Sequence, residues 1–547
     1  MDLAQEPSSP AAHALGAVDL AGIDPEVYRR RWWSLGALCL SLLIVMIGNT
    51  TLNVALPILS EKLDATNSQL QWMVDSYSLV FAGLLFAAGN LGDRYGRKGI
   101  LQAGLLLFGG ATVYASFMAD SAGELIGARL VMGAAAAMVM PATLSIITNI
   151  FPPHERAKAV AMWAGISGGG AAIGPLLSGF VLEHAEWTAV FAVNLPFIAL
   201  ALGLGAFLVP RSRGEHHSKL DVVGGLLSAI GLSTVVYAII EGPTHGWTSP
   251  ETLIVGAIGL LTMAAFILWE LRCEHPMLDV RLFKIGAFGV SALALTLVFF
   301  ALMGMFFSMS QMLQLVWGYS PLESAVRLLP ISFAMMMAAP ASARMAERFG
   351  KRRVVAVGMW VVAAGVGSLV WLDAQPHYLL LVGGLFVMAF GMGIAMSPTT
   401  DLLMSAVPRE QAGMGSAMND TTRELGGALG VAVFGSLLAS QYTGGLKEVL
   451  PALPGAAREA VGSSLAGALA VAGRAGEQGE GLARVARDAW MDGFRLSLGV
   501  GAIVIALSGL LAWVLLPDQA HDLSQADPAD GIPVDGHLEP QLVAQSA

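Results

Sequence analysis

The sequence predicts an all-α integral membrane protein of fourteen transmembrane helices, arranged as two six-helix halves with two helices inserted between them. Three observations carry this expectation. Hydrophobic residues make up 55% of the 547-residue chain and charged residues 13%, too little polar surface for the several soluble domains a chain of this length would form. The polar residues are confined to short intervals between apolar stretches of about 20 residues, the length a helix needs to cross the hydrocarbon core. A charged glycine turn also occurs twice: Ala346-Glu347-Arg348-Phe349-Gly350-Lys351-Arg352 echoes Gly92-Asp93-Arg94-Tyr95-Gly96-Arg97-Lys98. Each copy follows the second span of a six-span set, as in membrane folds built from parallel repeats.

Residues 1–34 read as a cytoplasmic tail, disordered over its polar first part, with no cleavable signal pattern. Arg29, Arg30 and Arg31 precede the first span and place the N-terminus inside. Spans are expected near 35–57, 71–91, 99–118, 124–147, 158–183 and 188–209 in the first half, residues 35–210. Spans near 222–241 and 251–270 form the insert, residues 211–285. The second half, 286–516, holds spans near 286–310, 324–343, 354–373, 378–405, 424–441 and 493–516. Basic residues fall in alternate intervals, among them Arg94, Arg97 and Lys98, then Arg156 and Lys158, then Arg348, Lys351 and Arg352, then Arg409 and Arg423. The positive-inside rule makes those intervals cytoplasmic. An even span count returns the tail 517–547, acidic and without Lys or Arg, to the cytoplasm, where it reads as disordered.

The net charge of −10 resides in the tails and outer loops while the inner loops are basic, so nucleic acid is not an expected partner. Cys39 and Cys273 lie too far apart to suggest a disulfide, and no metal-ligand spacing, phosphate loop or nucleophile–base arrangement stands out. The interval Gln441–Met491 is long and Ala/Gly-rich. It reads either as a pair of helices capping the outer face, over Ala456–Ala472 and Gly481–Trp490, or as a floppy loop.

Several polar residues stand where lipid makes them expensive. The loop Gly89–Leu101 packs Asp93, Arg94, Arg97 and Lys98 among Gly89, Gly92, Gly96 and Gly99. The glycines permit a tight turn and close helix approach; the bland alternative is an ordinary positive-inside loop. Arg129 lies inside span 4 beside a row of small residues, and Asp75 lies inside span 2 at a matching depth. A carboxylate beside an arginine that comes and goes is a means of switching proton affinity. The alternatives are a structural arginine and a helix-start aspartate. Asp401 follows Pro398 near the inner end of span 12, where it either lines a vestibule or merely caps or pairs. Glu323 and Arg327, spaced i, i+4, suggest a structural pair.

These residues also carry a resemblance. Gly89-x-Leu91-Gly92-Asp93-Arg94-x-Gly96-Arg97-Lys98-x-x-Leu101 resembles motif A of the major facilitator superfamily, in which that loop acts as a conformational latch. Leu125-x-x-x-Arg129-x-x-Met132-Gly133 resembles motif B, whose arginine is linked to proton transfer, with Met132 replacing a glutamine. Gly170, Gly174, Pro175 and Gly179 in span 5 match motif C, the mark of antiporters, with Ser178 in place of a glycine. Trp72–Gly83, which contains Asp75 and Tyr77, and Gly48–Pro57 are similar to signatures of the 14-span drug:H+ antiporter branch, the QacA-like multidrug efflux transporters. Leu313-Gln314-x-x-x-Gly318-Tyr319-Ser320-Pro321 and Asn419-Asp420-x-x-Arg423-Glu424-Leu425-Gly426-Gly427 also look like this branch. One departure matters: Gly48 stands where the branch has aspartate, which shifts weight onto Asp75.

The resemblance covers about residues 35–516 and implies a major facilitator fold in the cytoplasmic membrane, not an enzyme, working as a monomer. It implies efflux of small lipophilic, in part cationic, compounds with the proton gradient as energy source and no cofactor. Proton coupling falls to Asp75, Arg129 and Asp401, and the substrate cavity to Asn49, Asn53, Tyr77 and Gln314. Two rival readings are a dedicated exporter of an endogenous lipid or secondary metabolite, and a non-transporting scaffold or receptor.

Overall fold

In hydrocarbon every backbone N–H and C=O must find a partner within its own segment, so each apolar run folds as a helix. The computed structural model describes residues 23–212, 221–274, 276, 278–407 and 412–517. The expected disorder of both tails, and Arg409 in its basic interval, lie outside these residues. The first half holds α1 (Pro25–Lys62), α2 (Asn67–Tyr95), α3 (Arg97–Phe117), α4 (Ala122–Ile150), α5 (Pro153–His184) and α6 (Ala189–Leu208). Then come α7 (Val222–His245) and α8 (Pro250–Arg272). The second half holds α9 (Gly286–Gln311), α10 (Leu329–Phe349), α11 (Lys351–Ser368), α12 (Tyr378–Ser405), α13 (Ala412–Gly445) and α14 (Glu480–Leu515). A short helix, Pro321–Arg327, leads into α10. Among the described residues, eleven of the helices are long and apolar enough to cross a bilayer. Helices α2, α5 and α10, of 29, 32 and 21 residues, lie where spans 2, 5 and 10 are expected.

Local chemistry sets the helix starts. Thr66 and Gln69 form a capping box at α2, and Ser320 and Glu323 form another at Pro321–Arg327. Glu323 also stands 3.8 Å from Arg327, the expected i, i+4 pair. The two charged turns are built alike: Gly96 (φ 111°) joins α2 to α3 and Gly350 (φ 84°) joins α10 to α11. Both angles lie in the region open to glycine and costly for other residues.

Each half has its own apolar core. Leu38, Phe81, Phe108, Ala136 and Phe151 belong to that of the first half; Met305, Met359, Met388, Phe434 and Phe494 belong to that of the second. Helices α7 and α8 pack on each other, and α7 also lies along α2 and α13.

The long interval is ordered, with one correction. It contains two short helices, Gly455–Ser463 and Leu465–Arg474. Gly481–Trp490 is no separate helix, because it forms the first turns of α14, which begins at Glu480. Tyr442 Oη donates to the carbonyls of Val461 (2.9 Å) and Ser464 (3.1 Å), and Arg458 caps the carbonyls of Leu450, Pro451 and Leu453. Ser60 Oγ, near the end of α1, lies 3.3 Å from Ser464 Oγ, so this hairpin touches the first half.

Candidate functional site: the polar centre between the halves

Arg129 is wholly buried in α4. Its Nε donates to the Met73 carbonyl at 2.9 Å and its Nη1 to the Gly48 carbonyl at 2.7 Å. The guanidinium lies 4.3 Å from the centre of the Tyr77 ring, a cation–π contact that desolvation strengthens. One turn on, Gly133 faces the Tyr77 carbonyl so closely that a Cβ there would overlap it. Arg129 thereby ties α1, α2 and α4 together.

The expected Asp75–Arg129 pair is not formed. Both Asp75 carboxylate oxygens are buried without a hydrogen-bond partner among the described residues. The cause is helical phase. Depth is matched, but at 3.6 residues per turn Asp75 lies about 200° around α2 from Met73, the residue Arg129 grips. Trp72 and Leu79, on the Asp75 side, pack with Val236 and Ile240 of α7 and Ala428 and Ala432 of α13. Tyr77 also departs from expectation. It does not line a cavity: it is fully buried in the first-half core, and its hydroxyl donates to the Val45 carbonyl at 3.3 Å.

The carboxylate that does meet the first half comes from α13. Asn49 Nδ2 donates to Glu424 Oε1 at 3.3 Å, and the Ser78 side chain is also bonded to Glu424. Arg129 acts on Glu424 electrostatically, so one acid of the second half faces α1, α2 and α4 at once. Glu424 lies about 18 Å along α13 from Ala412 at 1.5 Å per residue, just over a third of the way along a 34-residue helix and well inside it. Placing span 13 at 424–441 assigned this residue to the membrane surface and hid its role. The available signal was the polar run Asn419–Glu424, followed after Leu425 by Gly426 and Gly427. One turn earlier, Asp420 is near Arg423 and Asn419, and Arg423 lies 5.5 Å from the Phe299 ring.

Gly48, the missing acid, has a structural counterpart. A Cβ on Gly48 would stand 2.7 Å from Phe108 Cζ, so the ring of Phe108 occupies the space a side chain there would enter. Beside it lies a void with room for about one water molecule, bordered by Thr51, Thr112 and Asn194.

The other candidates fall in three places. Gln314 Nε2 donates to the Val54 carbonyl at 2.9 Å, and Asn53 is buried with its Nδ2 3.5 Å from the Thr50 carbonyl. Gln314 therefore joins the halves near the hairpin end rather than at the centre. In the motif C helix, a Cβ on Gly170 would lie 2.7 Å from Met46 Cβ, and one on Gly174 would overlap Thr50 Oγ1. Gly179 faces the backbone of Leu322, and Glu183 accepts from Ser320, so this helix packs on α1 and touches the second half at its far end.

Asp401 requires a correction. Its side chain is 60% exposed and pairs with Lys351 at 2.5 Å, where it anchors the second charged turn. In the first turn Arg97 Nη1 donates to the Ser145 carbonyl at 3.3 Å, and Lys98 Nζ to that of Ala206 at 2.7 Å. Arg94 lies 5.5 Å from the Tyr95 ring. Gly89 and Gly92 sit on the last turns of α2, as does Asp93, whose side chain is outside the described residues. An exposed pair contributes roughly 0–1 kcal/mol. Asp401→Asn is accordingly expected to leave efflux within about twofold of wild type, measured as initial export rates.

Two helical halves, each with its own core, and a cluster of buried Arg129 with half-buried Glu424 and Asn49 where they meet define a multi-pass membrane transporter. The chain belongs to the Major Facilitator Superfamily, whose family model matches residues 38–431. It is 36% identical to the multidrug efflux pump LfrA of Mycolicibacterium smegmatis over 80% of this chain and 87% of that protein. It is 35% identical to the methyl viologen resistance protein SmvA of Salmonella typhimurium over 77% of this chain and 85% of that one. Its fold is similar to the crystal structure of a bacterial homologue of the human lysosomal transporter Spinster in an inward-facing, occupied conformation. That likeness has a TM-score of 0.61 at 19% identity and covers 90% of this chain and 98% of the other. The chain is a transporter and not an enzyme.

Proposed function

We propose that this protein exports small lipophilic compounds, cationic ones among them, in exchange for protons by alternating access. The curated relatives, named for multidrug efflux and for resistance to methyl viologen, support the cargo class. The observation that carries the mechanism is the Asn49–Glu424 contact. It sets a protonatable group of one half against the other half, inside the length of a spanning helix and within the electrostatic reach of Arg129. A rocking motion of the halves alters that contact, and the proton affinity of a buried carboxylate depends on its partners. In this reading Glu424 shares the task with Asp75, and Arg129 fixes α1 and α2 around it. Asp401 is left to the turn it anchors.

In the same reading the protein crosses the cytoplasmic membrane fourteen times. The charged turns at Gly96 and Gly350 face the cytoplasm with both termini, the hairpin faces outward, and a monomer suffices. Efflux assays in proteoliposomes, over a panel of lipophilic cations and neutral antibiotics and with a protonophore control, test the whole. Export of several unrelated compounds, stopped by the protonophore, is expected. Export of one compound alone identifies a dedicated exporter, and export indifferent to the protonophore overturns the coupling.

A further inference from the structure

Helix α7 has two different neighbours. Toward the basic end, the insert is fixed to the second half: Leu227 of α7 and Met263 and Phe266 of α8 join a cluster with Phe288, Leu403 and Met418. Farther along, Ser436 Oγ of α13 donates to the Ile239 carbonyl at 2.6 Å, and Trp247 Nε1 donates to Ser440 Oγ at 3.2 Å. The contact with α2 is of another kind. Gly83 lies under Ala229, with room for a Cβ only at 3.0 Å from the alanine methyl. Leu79 and Trp72 also pack with Val236 and Ile240 along this contact, in a cluster shared with Ala428 and Ala432 of α13. The polar bonds of this contact sit at its outer end. Trp72 Nε1 donates to Glu241 Oε1 at 3.2 Å, the Trp72 and Tyr237 rings are 5.9 Å apart, and Ser68 Oγ lies 3.3 Å from Thr244 Oγ1.

Resting on the export reading above, we propose that the inserted pair travels with the second half and that α7 forms a releasable outer gate against α2, bolted by Trp72 and Glu241. On the α13 side the anchorage runs the length of α7 and includes a bond to a backbone carbonyl. On the α2 side an apolar contact shared with α13 ends in side-chain bonds near the outer membrane surface, where their partners regain polar neighbours on parting. The insert thus adds to the transporter a further moving contact between the halves. Trp72 and Glu241 act as positioning residues of the outward-opening step, and neither needs to touch cargo.

The test uses the full-length protein in proteoliposomes, with Cys39→Ser and Cys273→Ser as background. Ser68→Cys with Thr244→Cys joins α2 to α7; Trp247→Cys with Ser440→Cys joins α7 to α13. Each pair is bridged by a short bifunctional methanethiosulfonate. The α2–α7 bridge should stop export, with reductant restoring it, whereas the α7–α13 bridge should leave export at the level of its unbridged variant. The reverse pattern, or two bridges with the same effect, overturns the proposal. If the unbridged variants and the parent export nothing, the export reading fails, a separate outcome. A second measurement reads the bolt itself, through the labelling rate of a Ser60→Cys reporter by an impermeant maleimide. Glu241→Gln retains an acceptor oxygen but loses the strength a charged acceptor adds, and should raise that rate less than Trp72→Phe does. Trp72→Phe removes the donor and should raise it about fivefold, the factor for one net hydrogen bond. Equal rates in Trp72→Phe and wild type overturn the bolt.

Discussion

Glu424→Gln is expected to abolish substrate-induced proton release while the protein folds and still exchanges cargo. Glutamine keeps the size of the side chain and an acceptor oxygen for the Asn49 amide, so the contact between α1 and α13 survives. It removes the capacity to take up a proton. The groups around Glu424 favour this separation, because the Asn49 amide can still donate to the glutamine oxygen and the Ser78 hydroxyl can accept from its amide nitrogen. Arg129 keeps its bonds to the Gly48 and Met73 carbonyls whether or not residue 424 is charged. Proton release on adding cargo to purified protein should fall to background, at least about tenfold, while cargo-for-cargo exchange in vesicles changes by less than about threefold. Undiminished proton release would remove Glu424 from the mechanism and leave Asp75 as the buried acid to test. Loss of both activities together would show that the charge is needed for binding instead of coupling.

The sequence made the helices, the repeat and the insert legible because each follows from a one-dimensional signal: apolar length, alternating charge and a duplicated turn. Arg129 was legible for the same reason, since a charge inside an apolar run requires a buried role. Its partner was not. Depth along a helix can be counted from sequence, but which face meets which neighbour depends on packing between helices. Asp75 and Arg129 match in depth and fail in phase. Glu424 was read only as part of a branch-like run and not as a site residue, because polar residues in the first turns of α13 resemble a loop until Ala412–Gly445 is seen as one helix. For Asp401, lining a vestibule and pairing were equally open, and the pair with Lys351 comes from a helix too distant in sequence to be read from spacing. The filling of the Gly48 site by Phe108 of another helix could not be read from the chain at all.

The second large effect concerns the back of the same site. Gly174→Leu is expected to abolish export, and the geometry also predicts which smaller change can be repaired. A Cβ on Gly174 overlaps Thr50 Oγ1 and comes within 3.5 Å of Ile47 Cα. Thr50 cannot easily yield, because its hydroxyl bonds to the Met46 carbonyl at 3.0 Å and a β-branched side chain has few rotamers in a helix. With alanine at 174 the one severe overlap is with that hydroxyl, so Gly174→Ala should impair export and Thr50→Ala should largely restore it. With leucine the excess volume reaches the α1 backbone, and no single truncation opposite can absorb it; overpacking of this kind costs about 1–3 kcal/mol. The functional consequence is more specific than lost stability. Asn49 adjoins Thr50, and the Gly48 carbonyl one residue earlier is held by Arg129. Pressing α5 against α1 therefore displaces the segment that presents Asn49 to Glu424. Gly174→Leu should lose export in proteoliposomes even when its membrane level, read by immunoblot, stays near that of wild type. The Gly174→Ala, Thr50→Ala double variant should recover more than half the wild-type rate. Failure of Thr50→Ala to improve Gly174→Ala would show that the close approach of α5 to α1 is not what makes this glycine necessary.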